Sequence, residues 1–143
     1  MKLPDVNVLL YAVDADSRHH ETARPWLEEA LSGSETVAFC WNVLLGFVRL
    51  STRPVVFERP LDAGETLDLV ERWLGQPCAT VVEPTARHLA VLRDVLGAVG
   101  TAGNLTSDAH LAALAIEHGA ELCSYDADFG RFPGLRWRDM LRA

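Results

Sequence analysis

The sequence reads as an α/β protein, three layers thick, with helices on both faces of a central, mainly parallel sheet of four or five strands. Two observations predict this. Short β-rich runs alternate along the chain with longer stretches whose apolar residues recur at helical spacing. The composition, 49% hydrophobic and 23% charged over 143 residues, is that of one globular domain, residues 1–143, with one substantial core. Parallel strands need crossover connections, so strand and helix must alternate in this way, and the helices then cover both sides of the sheet.

Lys2 to Asp5 forms a first short strand that ends on an acid and passes into an apolar stretch from Asn7 to Ala12. From Ala23, the residues Trp26, Leu27, Ala30 and Leu31 follow at helical offsets and mark one face of a helix, which Ser32 and Gly33 stop. Thr36 to Phe39 is a second strand. A helix runs from Trp41 to about Leu50 and is closed by Thr52, Arg53 and Pro54. Leu61 to Leu74 is amphipathic through Leu67, Val70 and Leu74, and Gly75 and Pro77 break it before a strand over Ala79 to Val82. Pro84 and Thr85 open the next helix, which runs through Leu89, Leu92 and Leu96 to Gly97 and Gly100. Asn104 or Thr106 is the expected N-cap of a helix carrying Leu111, Ala112, Leu114, Ala115 and Ile116, and Gly119 is its stop. Leu122 to Tyr125 is a strand, followed by Asp126, Asp128, a turn and a last strand from Leu135 to Trp137.

Several function classes are excluded at this level. The N-terminal apolar run is broken by Pro4, Asp5, Asn7 and Asp14 and is too short to span a bilayer, so the expected location is cytoplasmic with no membrane partner. Cys40, Cys78 and Cys123 are isolated and odd in number, which fits buried thiols and neither a disulfide framework nor a zinc site. Trp26, Trp41, Trp73 and Trp137 are assigned mainly to the core. A net charge of -7 leaves no bulk attraction for nucleic acid, so any such activity must be local. There is no nucleophile elbow, phosphate loop or dinucleotide fingerprint. Of the 13 basic residues only Lys2 is a lysine, which argues against phosphotransfer sites of the receiver or phosphatase type.

Three aspartates stand out by position. In a parallel α/β sheet the C-terminal strand ends and the N-terminal helix ends share one edge, where ligands bind. Asp5 ends the first strand, Asp126 ends the strand after the long helix, and Asp108 lies in that helix's first turn. Taken alone, Asp108 fits an acid complementing a helix dipole and Asp126 a turn residue. Together they would repel one another unless protons or a cation neutralised them; a divalent metal is the simpler answer, and an all-oxygen donor set favours Mg²⁺ or Mn²⁺. A metal so held can polarise a phosphoryl oxygen and acidify a water. The five histidines show no matching ligand spacing and are read as ordinary surface or partly buried residues.

The stretches LPDVNVLLYA, WNVLLGFVRLSTRP, GNLTSDAHLAALAIEHG and LCSYDADFGRF, in this order, resemble VapC-type PIN-domain toxins, above all the mycobacterial subgroup, over almost the whole chain. The resemblance implies a PIN-like fold and an endoribonuclease that cuts RNA with Mg²⁺ or Mn²⁺. It also implies inhibition by a cognate VapB-type antitoxin, and a homodimer. Carried over by position, it makes Asp5, Asp108, Asp126 and Asp128 catalytic, with Asp5, Asp108 and Asp126 as metal ligands, and it implies substrate contacts from Asn7, Arg49 and Ser124. One departure stands out. Many members of that family have glutamate where this chain has Gly46, which supplies no ligand. A catalytically weak or inactive PIN-fold module that binds RNA or protein is therefore the alternative reading.

Overall fold

The computed structural model describes residues 1–100 and 102–142. It contains strands β1 (Lys2–Pro4), β2 (Val37–Phe39), β3 (Ala79–Val81), β4 (Glu121–Ser124) and β5 (Trp137–Asp139). The helices are α1 (Val6–Val13), α2 (His20–Ser32), α3 (Trp41–Ser51), α4 (Ala63–Leu74), α5 (His88–Val99) and α6 (Thr106–His118). All five strands are parallel, in the order β3-β2-β1-β4-β5.

This order explains the layers. From β1 the chain steps outward to β2 and β3, then returns to lay β4 on the other side of β1 and β5 beyond it. Right-handed crossovers in opposite directions place their helices on opposite faces. The first set is α1 to α4, in which α1 packs on α2 and α3, and α3 on α4. The second is the α5–α6 pair. Between them the strands are covered on both sides, and Leu3, Val37, Ala38, Phe39, Leu122 and Cys123 are wholly buried. Helix α6 is apolar nearly all round and buried from Ala109 to Ala115 apart from the half-buried His110. Its small alanines let it lie close against the sheet.

Four sequence expectations shift in detail. Helix α4 starts at Ala63 because Asp62 and Glu65 form a reciprocal capping box. Its inward residues are Thr66, Val70 and Trp73, one consistent helical face, and this leaves the expected face residue Leu67 exposed. Neither Asn104 nor Thr106 caps α6. A 3₁₀ turn over Gly103–Leu105 runs directly into the helix, and Thr106 Oγ1 donates back to the Gly103 carbonyl. Strand β5 lies two residues later than expected, because Leu122 pairs with Trp137 and Ser124 with Asp139.

Gly119 ends α6 in the left-handed region (φ 64°), as expected of a helix-stop glycine. Cys40 and Cys123 are buried, and Trp73 is in the core, while Trp41 is about half exposed. Among the described residues no helix is long and apolar enough to cross a membrane.

Burial decides the cost of truncation. Leu122→Ala, at a fully buried strand position, is expected to lower unfolding free energy by about 2–5 kcal/mol, whereas Leu67→Ala stays within roughly 0.5 kcal/mol. Urea unfolding of both variants checks this, and equal losses would contradict the outward face of α4.

Candidate functional site

The chain order reverses between β1 and β4, and the C-terminal ends of these two strands form the crevice. Their register pairs Pro4 with Cys123, so the next residues, Asp5 and Ser124, stand side by side. The Asp5 amide donates to the Cys123 carbonyl (2.9 Å), which extends the ladder by one step.

Asp5 ends its strand as the N-cap of α1 and is almost fully buried. One carboxylate oxygen accepts from the Val6 amide (2.7 Å) and the other from Ser124 Oγ (2.7 Å). Burial raises the Asp5 carboxyl above its ordinary value. The hydrogen bonds from Ser124 and Val6 pull it down, and the Asp126 charge pushes it up again.

Ser124 Oγ also accepts from Asn7 Nδ2 (3.1 Å) and from the Asp126 amide (3.0 Å). A hydroxyl has one proton to give and two lone pairs, so this one is saturated. It ties the first acid, the first turn of α1 and the backbone of the second acid to one atom. Asn7 Oδ1 completes the tie by accepting from the Tyr125 amide (3.3 Å).

Asp126 begins the 3₁₀ turn Ala127–Arg131 and accepts from the Asp128 amide (2.9 Å), which folds Asp128 back beside it. Asp108 enters from the first turn of α6. Asp108, Asp126 and Asp128 each bring a carboxylate oxygen within 4.8 Å of the others. The Asp108 carboxyl is pushed up to about 6, first by burial and then by the charges of Asp5, Asp126 and Asp128. This frustration is the structural test of a metal: an all-oxygen set of crowded acids, one driven toward protonation, fits a hard divalent cation.

The structure thus brings together all four predicted acids, with a different inner grouping. Asp128 joins Asp108 and Asp126, while Asp5 sits deeper with both oxygens already hydrogen-bonded. One substrate-contact expectation is corrected. Ser124 is fully buried and saturated, so it orients the acids and leaves no surface for a substrate. Arg49 is exposed in the last turn of α3, beyond the acid cluster but on the helix whose first turn lies at the site edge. Asn7 is half-buried, and its amide is engaged on both Ser124 and Tyr125.

Position 46 is not closed by packing. A Cβ added to Gly46 would meet the Val6 side chain at 3.4 Å, an ordinary van der Waals contact beside the residue that follows Asp5.

No sequence motif marks the chain of groups joining α5 to α6. Glu117 accepts from the Thr85 amide (3.0 Å) and Oγ1 (2.6 Å) and pairs with His88 Nδ1. His88 Nε2 lies 2.9 Å from His110 Nδ1. Burial alone would raise the Glu117 carboxyl, but these hydrogen bonds and the nearby His88 hold it below its ordinary value. The two-turn spacing of His110 and Glu117 on one helix face was the only hint.

The PIN domain family model matches residues 2–135. Ribonuclease VapC37 of Mycobacterium tuberculosis is 53% identical over 137 residues, covering 96% of this chain and 95% of that protein. Ribonuclease VapC33 of the same species is 38% identical over 142 residues, 99% of each chain. Among solved structures, VapBC2 from Rickettsia felis, bound to a DNA fragment from its promoter, aligns with a TM-score of 0.69 at 19% identity and 96% coverage of both chains. FitAcB from Neisseria gonorrhoeae aligns at 0.65 and 19% identity over the full length of both.

The raised Asp108 value has a stability consequence. Between its unfolded value near 3.8 and about 6, the metal-free folded state binds more protons than the unfolded state, so stability falls as pH rises through this window. His110, lowered by burial, contributes in the opposite sense over the same range, so the comparison is with Asp108→Asn rather than with the bare wild-type trend. In thermal unfolding of metal-free protein, the Tm advantage of Asp108→Asn over wild type should grow as pH rises from 5 to 7. A difference that stays constant or shrinks over this range contradicts the crowding.

Proposed function

The chain belongs to the PIN-domain family, and on that premise we propose that it is a metal-dependent endoribonuclease, the toxin of a toxin–antitoxin pair held in check by a cognate VapB-type antitoxin. The observation that carries this reading is the convergence of Asp5, Asp108, Asp126 and Asp128 at the crevice between β1 and β4. It is supported by relatives named as VapC ribonucleases that align over nearly the whole chain. The site of action is the cytoplasm. A homodimer is part of the proposal, with the exposed Leu89 on α5 as one surface offered to a second copy.

Asp108, Asp126 and Asp128 would hold Mg²⁺ or Mn²⁺, with Asp5 as a buried fourth charge. When bound, such an ion offsets charge on a phosphodiester oxygen and acidifies a water. The chain's own residues supply the rest. Ser124 fixes Asp5 and the Asp126 backbone relative to each other. Asn7 locks α1 to the segment after β4, so Asp5 cannot swing away from the cleft. Asp108 is held partly protonated near pH 6 when no cation is present, and becomes a full ligand as its proton leaves. The cleft is negative and the net charge is -7, so a cation held by the acids would ease the approach of the scissile phosphate, and the rest of the RNA strand must be held by local contacts.

Gly46 motivates the alternative of a binding module without catalysis. The four acids converge without a contribution from position 46, and this favours the catalytic reading.

Incubation of purified protein with RNA and Mg²⁺ or Mn²⁺ is the test. Wild type is expected to cut, and Asp108→Asn to lose cleavage entirely. Ser124→Ala should lose roughly 10- to 100-fold, as expected of a group that orients ligands. RNA bound but left intact under both metals would support the binding module instead. Gly46→Glu adds an acid beside Val6 and should strengthen Mn²⁺ binding measured by calorimetry. An unchanged affinity would show that position 46 does not reach the metal.

A further inference from the structure

Trp41 opens α3 at the sheet edge that carries the acids, with about half of its surface in solvent. Lys2 pairs with Val37, so three residues further on Cys40 stands level with Asp5. The Asp5 charge reaches Cys40, where it adds to the burial that pushes the thiol up. Trp41 is the next residue. It is 48% exposed and takes part in no ring pairing among the described residues.

Leu45 and Arg49 follow at one-turn intervals on the same face of α3. Leu45 is 61% exposed. Arg49 is exposed and forms no ion pair among the described residues. The inward positions Val43, Leu44 and Phe47 supply the helix's core contacts, so the outer stripe contributes little to folding.

A scattered exposed leucine needs no explanation. The order of this stripe does: a large aromatic face nearest the acids, an aliphatic step, then a free guanidinium about 12 Å along the helix. Single-stranded nucleic acid is bound by aromatic faces that stack bases and by arginines that meet phosphates, and both are local contacts that a few side chains can supply. A protein with a net charge of -7 needs such local contacts to hold a polyanion. A partner helix would ask for a continuous apolar groove, and this stripe ends on a cation.

Resting on the ribonuclease reading above, we infer that the outer stripe of α3 is the track of the RNA strand being cut. Trp41 stacks an unpaired base beside the scissile phosphate, and Arg49 holds a phosphate further along. The consequence is a preference for unpaired RNA, because bases inside a duplex are stacked on one another and present no face to the indole.

The test uses Trp41→Ala, Trp41→Phe and Arg49→Ala with one RNA sequence offered single-stranded and as a duplex. Trp41→Ala should raise KM for the single strand roughly 5- to 100-fold, with a smaller change in kcat, and narrow the preference over duplex. Trp41→Phe should keep most of the affinity. Arg49→Ala should reduce the salt dependence of binding by about one phosphate contact.

Independently of cleavage, oligoadenylate titrated into metal-free Asp108→Asn protein should quench tryptophan fluorescence, and the added Trp41→Phe change should remove that quench. Wild-type KM in Trp41→Ala, or an undiminished quench once Trp41→Phe is added, would overturn the inference, as would a loss of antitoxin inhibition with RNA binding unchanged. If wild type cuts no RNA at all, the ribonuclease reading fails, and the fluorescence titration still decides whether Trp41 stacks a base.

Discussion

Repulsion among aspartates held in one crevice is the constraint on which this protein's chemistry depends. The β1–β4 register sets Asp5 beside Ser124, and the turn after β4 brings Asp126 and Asp128 onto the same edge. Helix α6 then delivers Asp108 into a cleft that is already negative, which drives its carboxyl to about 6. An arrangement with this much mutual repulsion persists only because the scaffold over-determines it. The fully satisfied Ser124 hydroxyl, the Asn7 tie and the buried alanine-rich body of α6 leave none of the backbone segments free to relax.

The rigidity of the site therefore has its source away from the acids. Helix α6 is anchored at its far end by Glu117, whose carboxylate takes hydrogen bonds from the Thr85 segment and from His88. His88 continues to His110, two residues from Asp108, so the α5–α6 pair is joined by polar groups along the length of α6. The acids are spread over the ends of β1 and β4 and the start of α6, and the parallel sheet lets these meet although they lie far apart in sequence.

Most of the fold was legible because its signals are local. Alternation of strand and helix, the apolar face of α2 and the stop at Gly119 each depend on neighbouring residues. The misplaced features depended on tertiary context. Leu67 belongs to a plausible apolar stripe, yet the stripe that meets the core runs through Thr66, Val70 and Trp73. Thr106 has the chemistry of an N-cap, but a 3₁₀ turn arrives already wound and leaves no capping position. At the site, Asp5, Asp108 and Asp126 were readable from strand ends and a first helical turn, and Asp128 from the family resemblance. The role of Ser124 was not, because saturation of its hydroxyl depends on partners at positions 5, 7 and 126 that only the folded chain assembles. The Glu117–His88–His110 chain was invisible for the same reason.

The most direct measurement is calorimetric titration of Mn²⁺ into the wild type near pH 6, in buffers of different ionisation enthalpy, to count protons released on binding. If crowding by the other acids holds Asp108 half-protonated until a cation arrives, binding must expel a fraction of a proton at this pH and progressively less toward pH 8. Metal binding with no proton release at pH 6, or no binding at all, would contradict the account.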